Sequence, residues 1–243
     1  MHEDGGDDGR VEMNDDQASP TASAATADKR REDMIRAALD VIVERGYPDT
    51  RIADVAERAG TSPALVIYYF TTKDNLLTEA VRLAEDHWYD LGAARMEAIE
   101  SAAGRLEWII AATCLPQADE ELPEPWALWL DLWAQAVRHP EVARVRADFD
   151  ARWRATIAGL VVEGETSGEF SPVDPTEFAI TLSALLDGFA VQIALEDAVV
   201  SPETAFACAM TFAADKLGFA WAGAKAADGP SGKGKGKGGG ARR

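Results

Sequence analysis

Apolar residues recur at every third and fourth position through most of the chain, and no run alternates in steps of two. The first spacing is that of one face of an α-helix, whereas a half-buried strand would alternate. Ala, Leu, Glu and Arg, which all favour helix, dominate the same stretch. We therefore predict an all-α protein. Its predicted helices span residues 29–46, 51–59, 62–69, 73–101, 104–115, 124–138, 140–166, 174–197 and 201–219.

The boundaries between these helices follow from glycine, proline and serine. Gly46-Tyr47-Pro48 ends the first helix, because proline cannot continue it. Proline is tolerated in the first turn, so Pro140 can open a helix. Ser201 can cap the last helix, which then begins at Pro202. Between the helices ending at 166 and beginning at 174, glycine and proline predict a turn-rich connector.

The two ends of the chain differ in composition from the middle. Residues 1–28 contain eight acidic residues and one arginine and show no hydrophobic period, so we expect a disordered acidic arm. Residues 222–243 are rich in glycine and contain six basic residues against one acidic, so we expect a disordered Gly/Lys tail. Both ends are therefore expected to lie outside the folded domains.

Charge and hydropathy exclude several classes of protein. The chain carries a formal net charge of −18 at pH 7, which argues against coating nucleic acid or an anionic membrane through global charge. The acidic N-terminus has no apolar segment of the signal-peptide type. The longest uncharged apolar stretches, Phe178–Leu186 and Gly188–Leu195, are too short to cross a bilayer. We expect a soluble cytoplasmic protein with no membrane partner.

The sequence lacks the patterns that catalysis or metal binding would need. Cys114 and Cys208 give no disulfide framework, and His2, His87 and His139 are not spaced as metal ligands. A helical di-iron site needs two Glu-x-x-His pairs, and the sequence contains none. No nucleophile elbow occurs either. We predict no enzyme activity, no cofactor and no metal.

Residues 51–70 meet each requirement of a helix-turn-helix at its own position. The small Ala56 lets a second helix cross closely, and Gly60 supplies the positive φ that turns the chain. Ser62 can cap the second helix, and Val66 can anchor it against the first. A generic helical hairpin would need the apolar spacing but not this combination. A motif of this kind places its second helix in the major groove of DNA.

Residues 29–80, which contain this motif, resemble the TetR family of transcriptional regulators. The resemblance is carried by Ala37-Ala38-Leu39, Arg45-Gly46-Tyr47, Thr50, Ile52, Asp54-Val55-Ala56, Ala59-Gly60, Ser62, Tyr69-Phe70, Lys73 and Leu76-Leu77. It implies a three-helix DNA-binding domain at residues 29–75 and a C-terminal helical bundle at residues 76–221 for ligand binding and dimerisation. The C-terminal half shows a weaker resemblance to choline-responsive repressors of that family.

The resemblance also implies nine DNA-contacting residues. They are Thr50, Arg51, Thr61, Ser62, Pro63, Ala64, Tyr68, Tyr69 and Lys73. The first two would face phosphates, the next four would begin the recognition helix and meet base edges, and the tyrosines would contact bases or backbone. The lysine would pair with a phosphate. Leu65 and Ile67 depart from the family pattern, because a hydroxyl residue and a tyrosine are common at these positions.

Aromatic residues are concentrated in the second half of the chain. Trp126, Trp129 and Trp133 fall on one face of a helix, and the neighbouring helices carry further rings. One interpretation is a ligand cage, and the other is ordinary hydrophobic core. The predicted ligand-binding residues are Trp88, Trp108, Trp126, Trp129, Trp133, Phe149, Trp153, Asp187 and Phe189.

Acidic residues near these rings indicate the charge of the ligand. Asp86, Asp131, Asp150 and Asp187 lie beside the aromatics in sequence, and Asp187 interrupts an otherwise apolar helix. Aromatic faces together with a buried carboxylate bind organic cations. We therefore predict a cationic amine, choline-like or a polyamine, as the effector. A neutral hydrophobic or aromatic molecule is the alternative.

The family resemblance implies a homodimeric repressor that dimerises through residues 174–219. It would bind a pseudo-palindromic operator in double-stranded DNA and leave it when a small-molecule effector binds. Ligand binding would tilt the helix that begins at Lys73 and change the spacing of the recognition helices. Small residues would let two copies approach, namely Ala179, Ser183, Ala184, Gly188, Ala205, Ala209 and Ala213. Two alternatives stay open: an activator, and a helical protein-interaction module without DNA binding.

Overall fold

The computed structural model describes residues 20–115 and 126–223, with side chains from residue 26 onward. These ranges contain nine α-helices and no β-strand, which confirms the all-α prediction. The helices are α1 (Pro20–Arg45), α2 (Ile52–Arg58), α3 (Pro63–Phe70), α4 (Lys73–Glu97), α5 (Ala102–Cys114), α6 (Trp126–Ala136), α7 (Pro140–Ser167), α8 (Pro175–Ala194) and α9 (Pro202–Leu217).

Each predicted helix is present, and the largest difference at a boundary is at the start of α1. This helix begins at Pro20 and not at Lys29, so residues 20–28 of the predicted acidic arm are helical. The segment 21–27 is rich in alanine, which has the highest helix propensity and can extend a helix without a packed face. The rest of the predicted arm, the prolines at 116–125 and the predicted tail from residue 224 lie outside the described residues.

The predicted helix ends have the expected local causes. The Ser201 hydroxyl accepts a hydrogen bond from the Thr204 amide at 3.2 Å and caps α9. Pro140 and Pro202 each occupy the first position of a helix, where no intrahelical hydrogen bond is lost. Gly168 ends α7 with a φ of +78°, a conformation that L side chains rarely adopt.

A first hydrophobic core joins the helix-turn-helix to the middle of the chain. Its buried residues come from α1 to α4, from α6 and from the first half of α7. Leu128 and Leu132 of α6 belong to the same buried cluster as Val55 of α2 and Val66 of α3. The packing is therefore continuous across residues 75 and 76, where the sequence predicted a domain boundary.

A second core is built from α5, the second half of α7, α8 and α9. Most of the small residues that were assigned to a dimer face lie inside the chain. Five of the seven are buried, where they let the helices approach closely: Ala179, Ser183, Ala205, Ala209 and Ala213. Ala184 and Gly188 are exposed.

Helix α8 has an apolar side with no partner in the single chain. Among the described helices it alone is long and apolar enough to cross a membrane by length and composition, although Asp187 divides it. Only 33% of the window that meets this criterion is buried in the fold. Its exposed side carries Ile180, Ala184, Gly188 and, at the C-cap, Leu195, which the helical repeat places on one face.

Replacement of Gly164 by alanine tests the packing of the second core. A Cβ atom at Gly164 would lie 2.0 Å from Cδ2 of the buried Phe170 ring, so the ring has to move. We expect Gly164→Ala to lower the free energy of unfolding by about 2 kcal/mol, measured by urea denaturation. Gly159→Ala on the same helix is the control, since a Cβ there meets no atom within 4 Å. Equal effects of the two substitutions would contradict this packing.

Candidate functional site

The helix-turn-helix is built by three local features of the sequence. Val55 and Ala56 of α2 are buried against Val66 of α3, so the two short helices cross closely. Gly60 turns the chain with a φ of +63°. The Ser62 hydroxyl accepts a hydrogen bond from the Leu65 amide at 3.2 Å and caps α3. Each feature is the one that the motif required.

The outer face of α3 presents most of the residues that were expected to read DNA. Ser62, Pro63 and Ala64 are exposed at its start, and Tyr68 is 79% exposed one turn later. Tyr69 is half-buried and packs against the first core, so less of its ring is available. The same face exposes a further apolar side chain, Ile67. Few hydrogen-bonding groups lie here, which favours apolar contacts with thymine methyl groups.

Thr50 and Lys73, which were expected to contact phosphates, are not positioned with free side chains at the surface. Thr50 is only 3% exposed, and its hydroxyl donates a hydrogen bond to the Gly46 carbonyl at 2.8 Å. Its side chain therefore stabilises the turn between α1 and α2 through this hydrogen bond and does not reach the surface. Arg51, the next residue, is exposed at the N-cap of α2, and Thr61 is half-buried in the turn before α3.

Lys73 packs inward at the start of α4. Its Nζ atom lies 4.1 Å from the centroid of the Tyr47 ring and donates a hydrogen bond to the Pro48 carbonyl at 3.3 Å. Burial lowers the pKa of Lys73, although the negative charge of Asp74 and other neighbouring acids acts in the opposite direction. One of the three donors of the ammonium group is used by the Pro48 carbonyl, and the other two can still reach a phosphate.

Several arginines around the motif are already paired with acids. Three ion pairs lie at the protein surface: Arg31–Glu79 at 2.9 Å, Arg45–Asp54 at 3.3 Å and Arg58–Glu44 at 2.7 Å. Exposed pairs of this kind add little stability, but each neutralises a positive charge. Binding to phosphate therefore depends on the geometry of individual basic groups and not on a strong basic surface.

A cavity of about 120 Å³ lies between the two cores. Seven of the nine predicted ligand-binding residues line it: Trp88, Trp126, Trp129, Trp133, Phe149, Trp153 and Asp187. They come from α4, α6, α7 and α8, so the fold brings together rings that are distant in sequence. Trp129 and Phe149 meet edge to face, with centroids 5.7 Å apart.

The other two predicted residues, and two of the predicted acids, lie elsewhere. Trp108 does not line the cavity, but its ring contacts that of Trp88, with centroids 5.9 Å apart. Phe189 packs against the second core. Asp86 is paired with Arg152 at 2.7 Å on the surface. Asp131 accepts a hydrogen bond from the Tyr47 amide at 2.7 Å, away from the cavity. Neighbourhood in sequence did not indicate which side of each helix these groups occupy.

Three carboxyl groups give the cavity an acidic character. Glu85 is only 8% exposed, and burial raises its pKa to about 7. Asp187 lies at the exposed rim, where partial burial and the nearby charge of Asp150 raise its pKa to about 6. Asp150 is paired with Arg146 and lies 3.8 Å from Arg154, which also lines the cavity. A bound cation would favour the ionised form of the first two groups.

Five polar residues of the cavity were not predicted from the sequence, namely Glu85, Tyr89, Thr113, Arg154 and Ser183, and a helical signal could have found two of them. Glu85 precedes Trp88 by three positions on α4, so the helical repeat could have placed both on one side. Ser183 precedes Asp187 by four positions on α8 in the same way. The Ser183 hydroxyl is buried and has no hydrogen-bond partner among the described residues, so it is available to a ligand.

One group of side chains has the spacing of metal ligands in the described part of the chain. Nδ1 of His139 lies 3.3 Å from a carboxylate oxygen of Asp74 and 3.7 Å from one of Glu141. Both acids stand in the first turn of a helix, where a carboxylate stabilises the helix dipole without any metal. The positive ends of two helices also oppose a cation there. This arrangement therefore gives no argument for a metal centre.

Comparisons with known proteins agree in both halves of the chain. Residues 34–80 match the family described as "Bacterial regulatory proteins, tetR family", and residues 102–218 match "BetI-type transcriptional repressor, C-terminal". The HTH-type transcriptional regulator BetI of Rhizobium meliloti is 31% identical over 180 residues, which cover 73% of this chain and 84% of that one. The BetI regulator of Serratia proteamaculans is 30% identical over 186 residues, covering 73% and 87%.

Solved structures show the same arrangement. A transcriptional regulator from Saccharomonospora viridis in complex with choline has a TM-score of 0.68 and 29% identity, covering 79% of this chain and 98% of that one. A TetR-family regulator from Rhodococcus sp. has a TM-score of 0.67 and 28% identity, covering 78% and 99%. These similarities extend over both the helix-turn-helix and the helices around the cavity.

The buried Glu85 predicts a specific pH dependence of stability. Its pKa rises from 4.5 to about 7 on folding, so the folded state holds the proton more tightly than the unfolded state. The free energy of unfolding therefore decreases as the pH is raised from 4.5 to about 7. In the wild type, Glu85 should decrease the free energy of unfolding by about 3 kcal/mol between pH 4.5 and pH 8, measured by urea denaturation. We expect this decrease to be absent in Glu85→Gln. Glu97→Gln, exposed on the same helix, should keep the wild-type pH dependence. Parallel pH profiles for wild type and Glu85→Gln would contradict the assignment.

Proposed function

Because the chain belongs to the TetR family and has a BetI-type repressor domain, we propose that choline or a closely similar quaternary ammonium compound releases it, as a homodimer, from its operator. Members of this family are DNA-binding regulators that respond to ligands. The identity of the effector, the dimer and the cytoplasmic location belong to our proposal. Each is supported by a particular part of the structure, and none requires an enzymatic step.

The composition of the cavity carries the proposal for the effector. Tryptophan rings attract a quaternary ammonium group through their negative faces, and this cation cannot be bound by donating hydrogen bonds to acids. Glu85 and Asp187 line the same cavity, and a bound cation would favour their ionised forms, whereas Asp150 is already paired with arginine. The structurally similar regulator from Saccharomonospora viridis was solved with choline. A cavity with this combination of rings and carboxyl groups suits a small organic cation better than a neutral molecule.

The exposed side of α8 supports the proposed dimer. Ile180, Ala184, Gly188 and Leu195 form an exposed strip of small and apolar residues, and Asp187 lies exposed on the same face. A second copy related by a two-fold axis would cover it with the same strip. The two recognition helices would then meet successive turns of DNA, which requires an inverted repeat in the operator. A cytoplasmic location is part of the same proposal and is supported by the DNA-binding role of the family.

The charge of the effector can be tested with two molecules of the same shape. 3,3-Dimethyl-1-butanol has a carbon atom where choline has its charged nitrogen. We expect choline to bind at least about tenfold more tightly, measured by isothermal titration calorimetry, because only choline gains the attraction of rings and carboxylates.

Substitutions locate this binding. Trp129→Ala should weaken choline binding at least about tenfold, since it removes one wall of the cage. Trp221→Ala is the matched control, because that ring packs on Phe206 outside the cavity. Equal affinity for choline and its neutral analogue would overturn the proposal and favour the hydrophobic ligand.

The recognition helix can be tested on DNA that the protein itself selects. The full-length protein is used to enrich duplexes from a random-sequence library, and we expect inverted repeats. Tyr68→Ala should weaken binding to the selected duplex about tenfold by fluorescence anisotropy, because its exposed ring lies on the outer face of α3. Val137→Ala is the control, since Val137 is equally exposed beyond the end of α6. Selection of single half-sites would contradict the dimer.

A further inference from the structure

Helix α6 lines the cavity on one side and contacts the turn between α1 and α2 on the other. Trp129 and Trp133 line the cavity. Asp131 stands between them in sequence, and two residues along a helix correspond to a rotation of about 200°. Its side chain therefore points away from the cavity. There one of its carboxylate oxygens accepts a hydrogen bond from the Tyr47 amide at 2.7 Å, a contact between residues 84 positions apart.

The partner of Asp131 lies in a tightly held turn. Gly46 has a φ of +77°, and its amide donates to the Ile42 carbonyl at 2.8 Å. The Thr50 hydroxyl donates to the Gly46 carbonyl across the same turn. Tyr47 is itself buried, so its amide would lack a partner if Asp131 moved away. If α6 moved at Asp131, the Tyr47 amide would have to move with it or lose its acceptor.

The same turn positions residues at the DNA-facing side. It leads directly into Arg51 at the N-cap of α2. The Tyr47 ring lies under the Lys73 ammonium group, and the Tyr47 hydroxyl donates a hydrogen bond to Asp74. Lys73 and Asp74 are the first two residues of α4. One turn therefore contacts both the start of α2 and the start of α4.

We propose that Asp131 is a positioning residue that passes occupancy of the cavity to the DNA-binding face through the Tyr47 amide. An effector that pushes Trp129 or Trp133 moves α6, and Asp131 carries the turn between α1 and α2 with it. This route is separate from a tilt of α4. It rests on the proposed function only in taking the cavity as the effector site.

The hydrogen bond, and not the negative charge, is the part of Asp131 that the route needs. Asparagine keeps an oxygen that can accept from the Tyr47 amide, whereas alanine has none. The carboxylate also lies near Lys73, where burial lowers the pKa and the negative charge of Asp131 offsets part of that effect. Comparison of Asp131→Asn with Asp131→Ala therefore separates the hydrogen bond from the charge.

A permanent side-chain occupant tests the route without any free ligand. Ser183 lines the cavity and is buried, so the ring of Ser183→Phe has to enter the cavity. The affinity for the selected duplex is measured with and without this substitution in three full-length backgrounds: wild type, Asp131→Ala and Asp131→Asn. The quantity compared is the factor by which the phenylalanine weakens DNA binding in each background. Circular dichroism melting checks that every variant is folded.

We expect the phenylalanine to weaken DNA binding at least about tenfold in the wild type and in Asp131→Asn, and less than about threefold in Asp131→Ala. The proposal would be overturned if Ser183→Phe weakened DNA binding by the same factor in all three backgrounds. It would also be overturned if the weakening were as small in Asp131→Asn as in Asp131→Ala. If Ser183→Phe does not fold, Thr113→Phe fills the cavity from α5 instead. No effect of a folded, filled cavity in the wild type would also overturn it.

The outcome of this comparison of Ser183→Phe in three backgrounds does not depend on which effector binds the cavity. A calorimetric titration in which choline fails to bind would refute choline as the ligand. The occupant in the cycle is a side chain, so the factors for the three backgrounds would still decide whether Asp131 transmits occupancy.

Discussion

The burial of Leu128 and Leu132 in the first core, which also contains the buried residues of the helix-turn-helix, is the interaction on which the rest of the structure depends. It makes α6 part of the body that reads DNA, although the sequence places α6 far from the motif. The opposite side of α6 is then free to form a wall of the cavity. This packing holds α6 beside the turn between α1 and α2, and the hydrogen bond from the Tyr47 amide to Asp131 is the contact through which we propose that a shift of this wall is transmitted. The two functions of the chain therefore share one rigid element.

The electrostatics of the cavity point in the same direction. Burial raises the pKa of Glu85, so ionising this group in the empty protein costs free energy. A cation that enters the cavity would remove part of that cost, because its charge favours the ionised carboxylate. A ligand changes an equilibrium between conformations by the difference in its affinity for them. Buried acidic groups whose negative charge is only partly compensated in the empty cavity can therefore give a cationic ligand a higher affinity for one conformation than for another.

The sequence predicted the helices and the motif well because both depend on local rules. The φ of Gly60, the cap at Ser62 and the burial of Val66 follow from requirements within about fifteen residues. The cavity was predicted in part, since a tryptophan stripe reveals one wall but not which helices face it. The positions of Thr50 and Lys73 were missed because they depend on tertiary contacts of the Gly46–Pro48 turn. Family resemblance assigns a role to a position but does not determine where its side chain packs.

Asp131 shows how a charged residue in an apolar helix can be explained. It interrupts the run Trp-Leu-Asp-Leu-Trp, where an apolar residue would extend the core. Neighbouring tryptophans suggested a role in the ligand cage, yet its carboxylate lies on the other side and binds a backbone amide. A buried amide N–H needs an acceptor oxygen, and among the described residues Asp131 is the acceptor for the Tyr47 amide. An acceptor from a distant helix satisfies it. The cost of placing a carboxylate there is then offset by a bond that fixes α6 to the turn at a defined point.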